Sequence, residues 1–145
     1  MNFLDEFQYI VRKYPQKAAL ADCNGERITT YEELEALSRR IAAKLLKSGE
    51  MSGRAVMVCM GRKMEYIAAE LGIMMAGAAF VPTLPEYPEE RLSYIKEDCR
   101  AAVVIDDGWL SDIGTYEPVQ LQAREDGSHA MIIYTSGSTG RPKGI

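Results

Sequence analysis

The chain has 145 residues, 47% of them hydrophobic and 26% charged, which is enough apolar material for a packed core. A soluble chain of this size buries roughly 70% of the surface its unfolded form exposes, and the composition excludes a disordered tail, a collagenous repeat and a cysteine-stapled mini-protein. With 17 Lys and Arg against 21 Asp and Glu, the formal net charge is −4. The basic pairs Arg12-Lys13, Arg39-Arg40 and Arg62-Lys63 are scattered among acids, a pattern that argues against a nucleic-acid partner.

The first residues, Met1 to Phe7, carry acids where a secretory signal would place basic residues and an apolar run. No stretch approaches the ~20 apolar residues that span a bilayer, so the expectation is a cytoplasmic protein with no membrane partner. Cys23, Cys59 and Cys99 form no Cys-x-x-Cys pair, and His129 is the only histidine, so no zinc site is expected.

Phe3, Phe7, Ile10 and Val11 recur at helical spacing, predicting a helix over 3–14 that stops before Pro15. Ala18 to Ala21 and Arg27 to Thr30 flank Asn24-Gly25, the strongest short hairpin signal. Thr30 and Glu33 form a capping box ahead of Leu34, Leu37, Ile41 and Leu45, and Gly49 supplies a stop. Alternation then begins. A strand is expected over 54–60, a helix from Met64 to Met75 closed by Gly77, and a strand over 78–82. Pro88 opens a further helix with Leu92, Ile95 and Cys99 on its inner face, and a strand follows over 101–105. Strand and helix alternating in this way predict an α/β fold with a mainly parallel sheet flanked by helices, preceded by an N-terminal β-hairpin. Residues 107–128 read as a connection in which Val119 and Leu121 hint at a short strand.

The last apolar run, Met131 to Tyr134, reads as a buried strand feeding Thr135-Ser136-Gly137-Ser138-Thr139-Gly140-Arg141-Pro142-Lys143-Gly144. Glycines let a backbone approach an oxyanion and turn several N–H groups toward it. The Thr135, Ser136, Ser138 and Thr139 hydroxyls add neutral donors, and Lys143 adds a point charge. The spacing is not that of a Walker A loop, which requires Gly-Lys-Ser/Thr. The competing reading is a Gly/Ser linker, disfavoured by the strand before it and by the embedded Pro-Lys-Gly.

Tyr134 to Gly144, Y-T-S-G-S-T-G-R-P-K-G, resembles the signature loop of the adenylate-forming superfamily. That group includes acyl-CoA synthetases, luciferases and the amino-acid adenylation domains of nonribosomal peptide synthetases. Thr29 to Leu34 resembles the early Thr-Tyr-x-Glu-Leu motif, and Met75 to Pro82 resembles the second motif. Pro85 to Leu92 is similar to the continuation of that motif in the amino-acid-activating branch, although Leu84 stands where the branch usually has an aspartate. The resemblance runs from about Phe3 to Ile145 and identifies residues 1–145 as the N-terminal part of an AMP-binding adenylation domain, an incomplete portion of that fold.

The resemblance implies a two-step chemistry. ATP, expected with Mg2+, and an amino acid or other carboxylate give an acyl-adenylate and pyrophosphate, and a carrier-protein phosphopantetheine thiol then takes the acyl group. In this picture Thr135, Ser136, Gly137, Ser138, Thr139, Gly140, Lys143 and Gly144 bind the nucleotide phosphates, while no catalytic residue and no metal ligand lies within the chain. The sequence ends one residue after Gly144, whereas superfamily members are several times longer, so these residues are expected to be inactive alone and prone to self-association through uncovered apolar edges. The alternatives are an acyl-CoA synthetase fragment and a non-catalytic nucleotide- or partner-binding module. His129 reads as a surface histidine, Met57, Met60, Met64, Met74 and Met75 as core filler, and Glu89-Glu90 and Glu97-Asp98 as a solvated helix face. Arg91 either ion-pairs within the fold or caps a loop, and Trp109 and Tyr116 anchor the connection. The loop itself is expected to be mobile.

Overall fold

The computed structural model describes residues 3–120, 131–136 and 142–144; at 135, 136 and 142–144 it describes the backbone alone. Helix α1, Phe3–Lys13, turns Leu4, Phe7 and Val11 inward. Phe3, expected on that face, is 59% exposed, because Leu4 takes the place one turn before Phe7. Strands β1 (Ala18–Ala21) and β2 (Ile28–Thr30) pair antiparallel, as the hairpin signal predicts. Their connection is wider than a two-residue turn. The Asp22 carboxylate accepts from the Arg27 N–H at 3.1 Å, and Gly25 adopts a φ of +73° that few other residues tolerate.

Helix α2, Tyr31–Lys47, starts from the predicted capping box: the Glu33 N–H donates to Thr30 Oγ1, and the Thr30 N–H donates to Glu33 Oε2, both at 3.2 Å. It ends at Lys47 with Ser48 as its C-cap, and Gly49, the expected stop, follows with a φ of +143°. Strand β3 (Ala55–Cys59), helix α3 (Met64–Met75), strand β4 (Ala79–Thr83), helix α4 (Glu89–Asp98) and strand β5 (Val103–Ile105) follow. The three strands are parallel in the order β4-β3-β5, so the chain crosses from β4 over β3 to reach β5.

Alternation along these strands divides the core. Val56, Val58, Phe80 and Ile105 join the larger apolar cluster with Ile41 and Leu45 of α2 and Leu71 and Ile73 of α3. Ala55, Met57 and Val81 face the opposite side, against Ile95 of α4. A parallel sheet covered on both faces is read by its near-continuous apolar runs, and that is how these strands are written. Of the methionines, Met57, Met60 and Met75 are buried, and Met64 and Met74 are packed beside them.

The connection after β5 holds more structure than its polar sequence indicates. Asp106 caps the short helix α5, Asp107–Leu110, by accepting from the Trp109 N–H at 2.8 Å, and a 3-10 turn spans Ile113–Thr115. The anchoring roles expected of Trp109 and Tyr116 are met on α2: Lys44 Nζ lies 4.3 Å from the Trp109 ring centre, and Lys47 Nζ lies 5.3 Å from that of Tyr116. Val119 lies in no strand, though its N–H donates to the Arg39 carbonyl at 3.3 Å, and Leu121 and His129 fall outside the described residues. Among the described residues, no helix is long and apolar enough to cross a membrane.

Candidate phosphate-binding hairpin

The apolar run before the glycines docks on the free side of β4. Met131 forms a parallel bridge with Phe80, and the Ile132 N–H donates to the Phe80 carbonyl at 2.9 Å. The run is not buried throughout, as expected, but on alternate residues: Met131 and Ile133 are 43% and 42% exposed, whereas Tyr134 is buried. Ile132 and Tyr134 enter the smaller cluster beside Met57, Val81 and Ile95. Only one face of this segment meets the core, which is why half of its apolar residues stay in contact with water.

Strands β6 (Tyr134–Ser136) and β7 (Pro142–Gly144) then pair antiparallel, with Tyr134 opposite Gly144, Thr135 opposite Lys143 and Ser136 opposite Pro142. Four of the eight residues expected to bind phosphate, Thr135, Ser136, Lys143 and Gly144, are thus brought into one ladder. The other four, Gly137, Ser138, Thr139 and Gly140, lie outside the described residues, and so does the expectation of loop mobility. The register closes at Ser136 and Pro142, so the five residues 137–141 separate the two described strands in sequence.

The hairpin is tied to the sheet at its root. The Tyr134 hydroxyl donates to Asp98 Oδ2 at 2.6 Å, joining β6 to the last residue of α4. Burial, and then the Asp98 acceptor, push the Tyr134 phenol above its ordinary range. Helix α4 also lies against β7, so both strands of the hairpin meet the same helix. Asp98 is exposed, as the reading of a solvated helix face expects, and the structure adds to it the hydrogen bond from Tyr134. A signal for it was present in the sequence: a carboxylate in the last turn of a helix opposes the helix dipole and calls for a compensating donor. Glu89 and Glu90 are exposed in the first turn of α4, as expected. Arg91 stacks its guanidinium 4.1 Å from the Tyr87 ring centre and so holds the turn that carries Pro85 to Pro88. Leu84 packs against the larger cluster, an environment that suits an apolar side chain at this position.

A separate groove of about 630 Å³ lies between the N-terminal hairpin and α3, lined by Leu20, Thr29, Met64, Tyr66, Ile67 and Glu70 among others. Burial raises the Glu70 carboxyl above its usual range. Beside Arg27 of the groove lining, burial pushes Glu65 up as well, but the Arg27 hydrogen bond at 2.8 Å, a backbone hydrogen bond and the charges of Arg27 and Lys63 together outweigh it and leave that carboxyl below its usual range. No described residue of β6 or β7 lines this groove. Among the described residues, no group of three or more His, Cys, Asp or Glu gathers as a metal site, so the Mg2+ expected with ATP is assigned to none of them.

Comparison with known proteins agrees with this arrangement. The chain is 39% identical over 153 aligned positions to a component protein of the plipastatin synthase of Bacillus subtilis, covering 96% of this chain and 6% of that protein. Its fold superposes on the N-terminal subdomain of Klebsiella oxytoca NpsA, in complex with 3-hydroxyanthranilyl-AMSN, with a TM-score of 0.84 at 25% identity, covering 99% of this chain and 39% of the other. A fatty acid AMP ligase from Legionella pneumophila superposes with a TM-score of 0.85 at 24% identity, over 98% of this chain and 29% of the ligase. The chain therefore spans a small part of the length of each. The family model described as AMP-binding enzyme matches residues 7–145, and the chain belongs to that family.

Proposed function

We propose that residues 1–145 form the N-terminal part of an adenylation domain, in which the β6–β7 hairpin and its glycine connection hold the β- and γ-phosphates of ATP. The observation that carries this reading is the register that sets Lys143 opposite Thr135 at the neck of the glycine run. A point charge and a row of hydroxyls and amides at the end of a β-ladder suit a triphosphate, and they suit the pyrophosphate that departs. In the complete enzyme a substrate carboxylate oxygen attacks the α-phosphorus. The bond from that phosphorus to the bridging oxygen breaks, and the electron pair leaves with pyrophosphate. The hairpin's task is to position the leaving group and to offset its growing charge. The thiol sulfur of a carrier-protein phosphopantetheine then bonds to the acyl carbon, the bond from that carbon to the phosphate oxygen breaks, and AMP leaves with the electron pair.

The substrate class is an amino acid. Identity to a peptide synthase reaches 39%, against 24% for the fatty acid ligase, and the Pro85 to Leu92 run points to the same branch. The cytoplasm, where ATP is abundant, is the proposed site of action. The test is ATP–pyrophosphate exchange in an intact adenylation enzyme carrying this segment. Lys143→Ala raises the KM for ATP by about tenfold or more while leaving the KM for the amino acid in place. Unchanged ATP kinetics would remove the phosphate role. The 145 residues alone, spanning 39% of the NpsA subdomain, give no exchange above background.

A further inference from the structure

We infer that Tyr134 and Asp98 are a positioning pair, a clamp that fixes the β6–β7 hairpin to α4 and thereby sets how tightly the hairpin that carries Thr135 and Lys143 holds polyphosphate. The inference rests on the phosphate reading above and extends it to two residues that need not touch the nucleotide.

Three observations carry it. The Tyr134 hydroxyl donates to Asp98 Oδ2 at 2.6 Å, a short contact that joins the first residue of β6 to the last residue of α4. Tyr134 is 8% exposed and is the first residue of β6, so the bond acts at the root of the hairpin. The opposite strand, β7, lies against the same helix, and Tyr134 pairs with Gly144 across the ladder. Holding Tyr134 therefore also holds the strand that carries Lys143.

An anion site built from backbone amides depends on their orientation before the ligand arrives, because any reordering on binding lowers affinity. Losing the clamp leaves the same donors in the sequence but spreads them over more arrangements. Phosphate affinity falls while the fold of the sheet stays, since Val56, Val58 and Ile105 at its centre are untouched.

The test uses the 145-residue chain, with inorganic tripolyphosphate as the probe and NMR titration and amide hydrogen exchange as the readouts. Tyr134→Phe keeps the ring and its packing, Asp98→Ala removes the acceptor, and Asp98→Asn retains an oxygen able to accept. Expected are faster amide exchange over 134–136 and 142–144 and about tenfold weaker tripolyphosphate binding in Tyr134→Phe and Asp98→Ala. Asp98→Asn recovers most of both, and the Tyr134→Phe/Asp98→Ala double variant is no worse than either alone. Unaltered exchange in the single variants overturns the clamp. Faster exchange with unchanged tripolyphosphate affinity overturns its positioning role, while loss of affinity in Lys143→Ala in the same titration shows that the phosphate reading stands. A wild-type chain that takes up no tripolyphosphate overturns both.

Discussion

At the scale of the residue, Gly72 shows how little tolerance the helical layer has. A Cβ built there would come within 2.7 Å of Ile41 Cγ2 and 2.8 Å of the Ser38 carbonyl oxygen, distances that real Cβ atoms do not adopt. Helix α3 therefore meets α2 backbone to backbone, over a stretch where Ser38 is fully buried and its hydroxyl satisfies the Leu34 carbonyl at 2.7 Å. Two effects compete in Gly72→Ala. Alanine gains about 1 kcal/mol of helix propensity over glycine, but overpacking a closed contact costs typically 1–3 kcal/mol. One obstructing atom belongs to the backbone and the other to a β-branched side chain with zero exposure, so neither can swing aside. Packing wins: Gly72→Ala lowers stability by about 1 kcal/mol net, read from urea unfolding, and a variant as stable as the parent would show that the helices can separate at no cost.

At the scale of the element, legibility followed the strength of local signals. Helix α2 was readable to within a residue because its start is encoded twice, once in the Thr30–Glu33 reciprocal bonds and again in its apolar face. Thr30→Ala removes the hydroxyl that the Glu33 N–H uses and costs about 1 kcal/mol; thermal unfolding by circular dichroism measures it, and Thr30→Ser restores most of the loss. Strands β3 and β4 were readable because continuous apolar runs are what a sheet covered on two faces requires. The segment from Asp107 to Tyr116 was read as a plain connection because its order comes from across the fold: Arg40 donates to the Gly114 carbonyl at 3.3 Å, and Lys44 pairs with Asp112 at 2.7 Å. Periodicity along the chain carries no trace of a partner some seventy positions away. The same reason hid the partner of Asp98, whose donor lies 36 residues on, while the run of glycines, hydroxyls and a lysine proposed to hold phosphate is a local pattern that the sequence displays by itself.

At the scale of the whole molecule, the sheet presents unfinished surface. Among the described residues, β5 has a neighbour on one side only, and the outer side of β4 is met by the short Met131–Ile132 contact. Met131 and Ile133 stand 43% and 42% exposed beside it, next to backbone groups that an extended chain can pair with. Edge strands flanked by apolar side chains recruit further strands, and proteins that stay monomeric place charges or proline there. A net charge of −4 opposes association only weakly at physiological salt, where the screening length is about 8 Å. The expected outcome is that the 145-residue chain associates reversibly with itself, read as a weight-average mass that rises with concentration in sedimentation velocity. Met131→Lys together with Ile133→Lys shifts it toward monomer, because the two lysines place like charges on the face that would be shared while leaving Ile132 and Tyr134 in the core. Raised salt then restores part of the association in the double variant by screening those charges. A parent chain that sediments as a sharp monomer at high concentration would mean that the twist of this edge suffices to keep it unpaired.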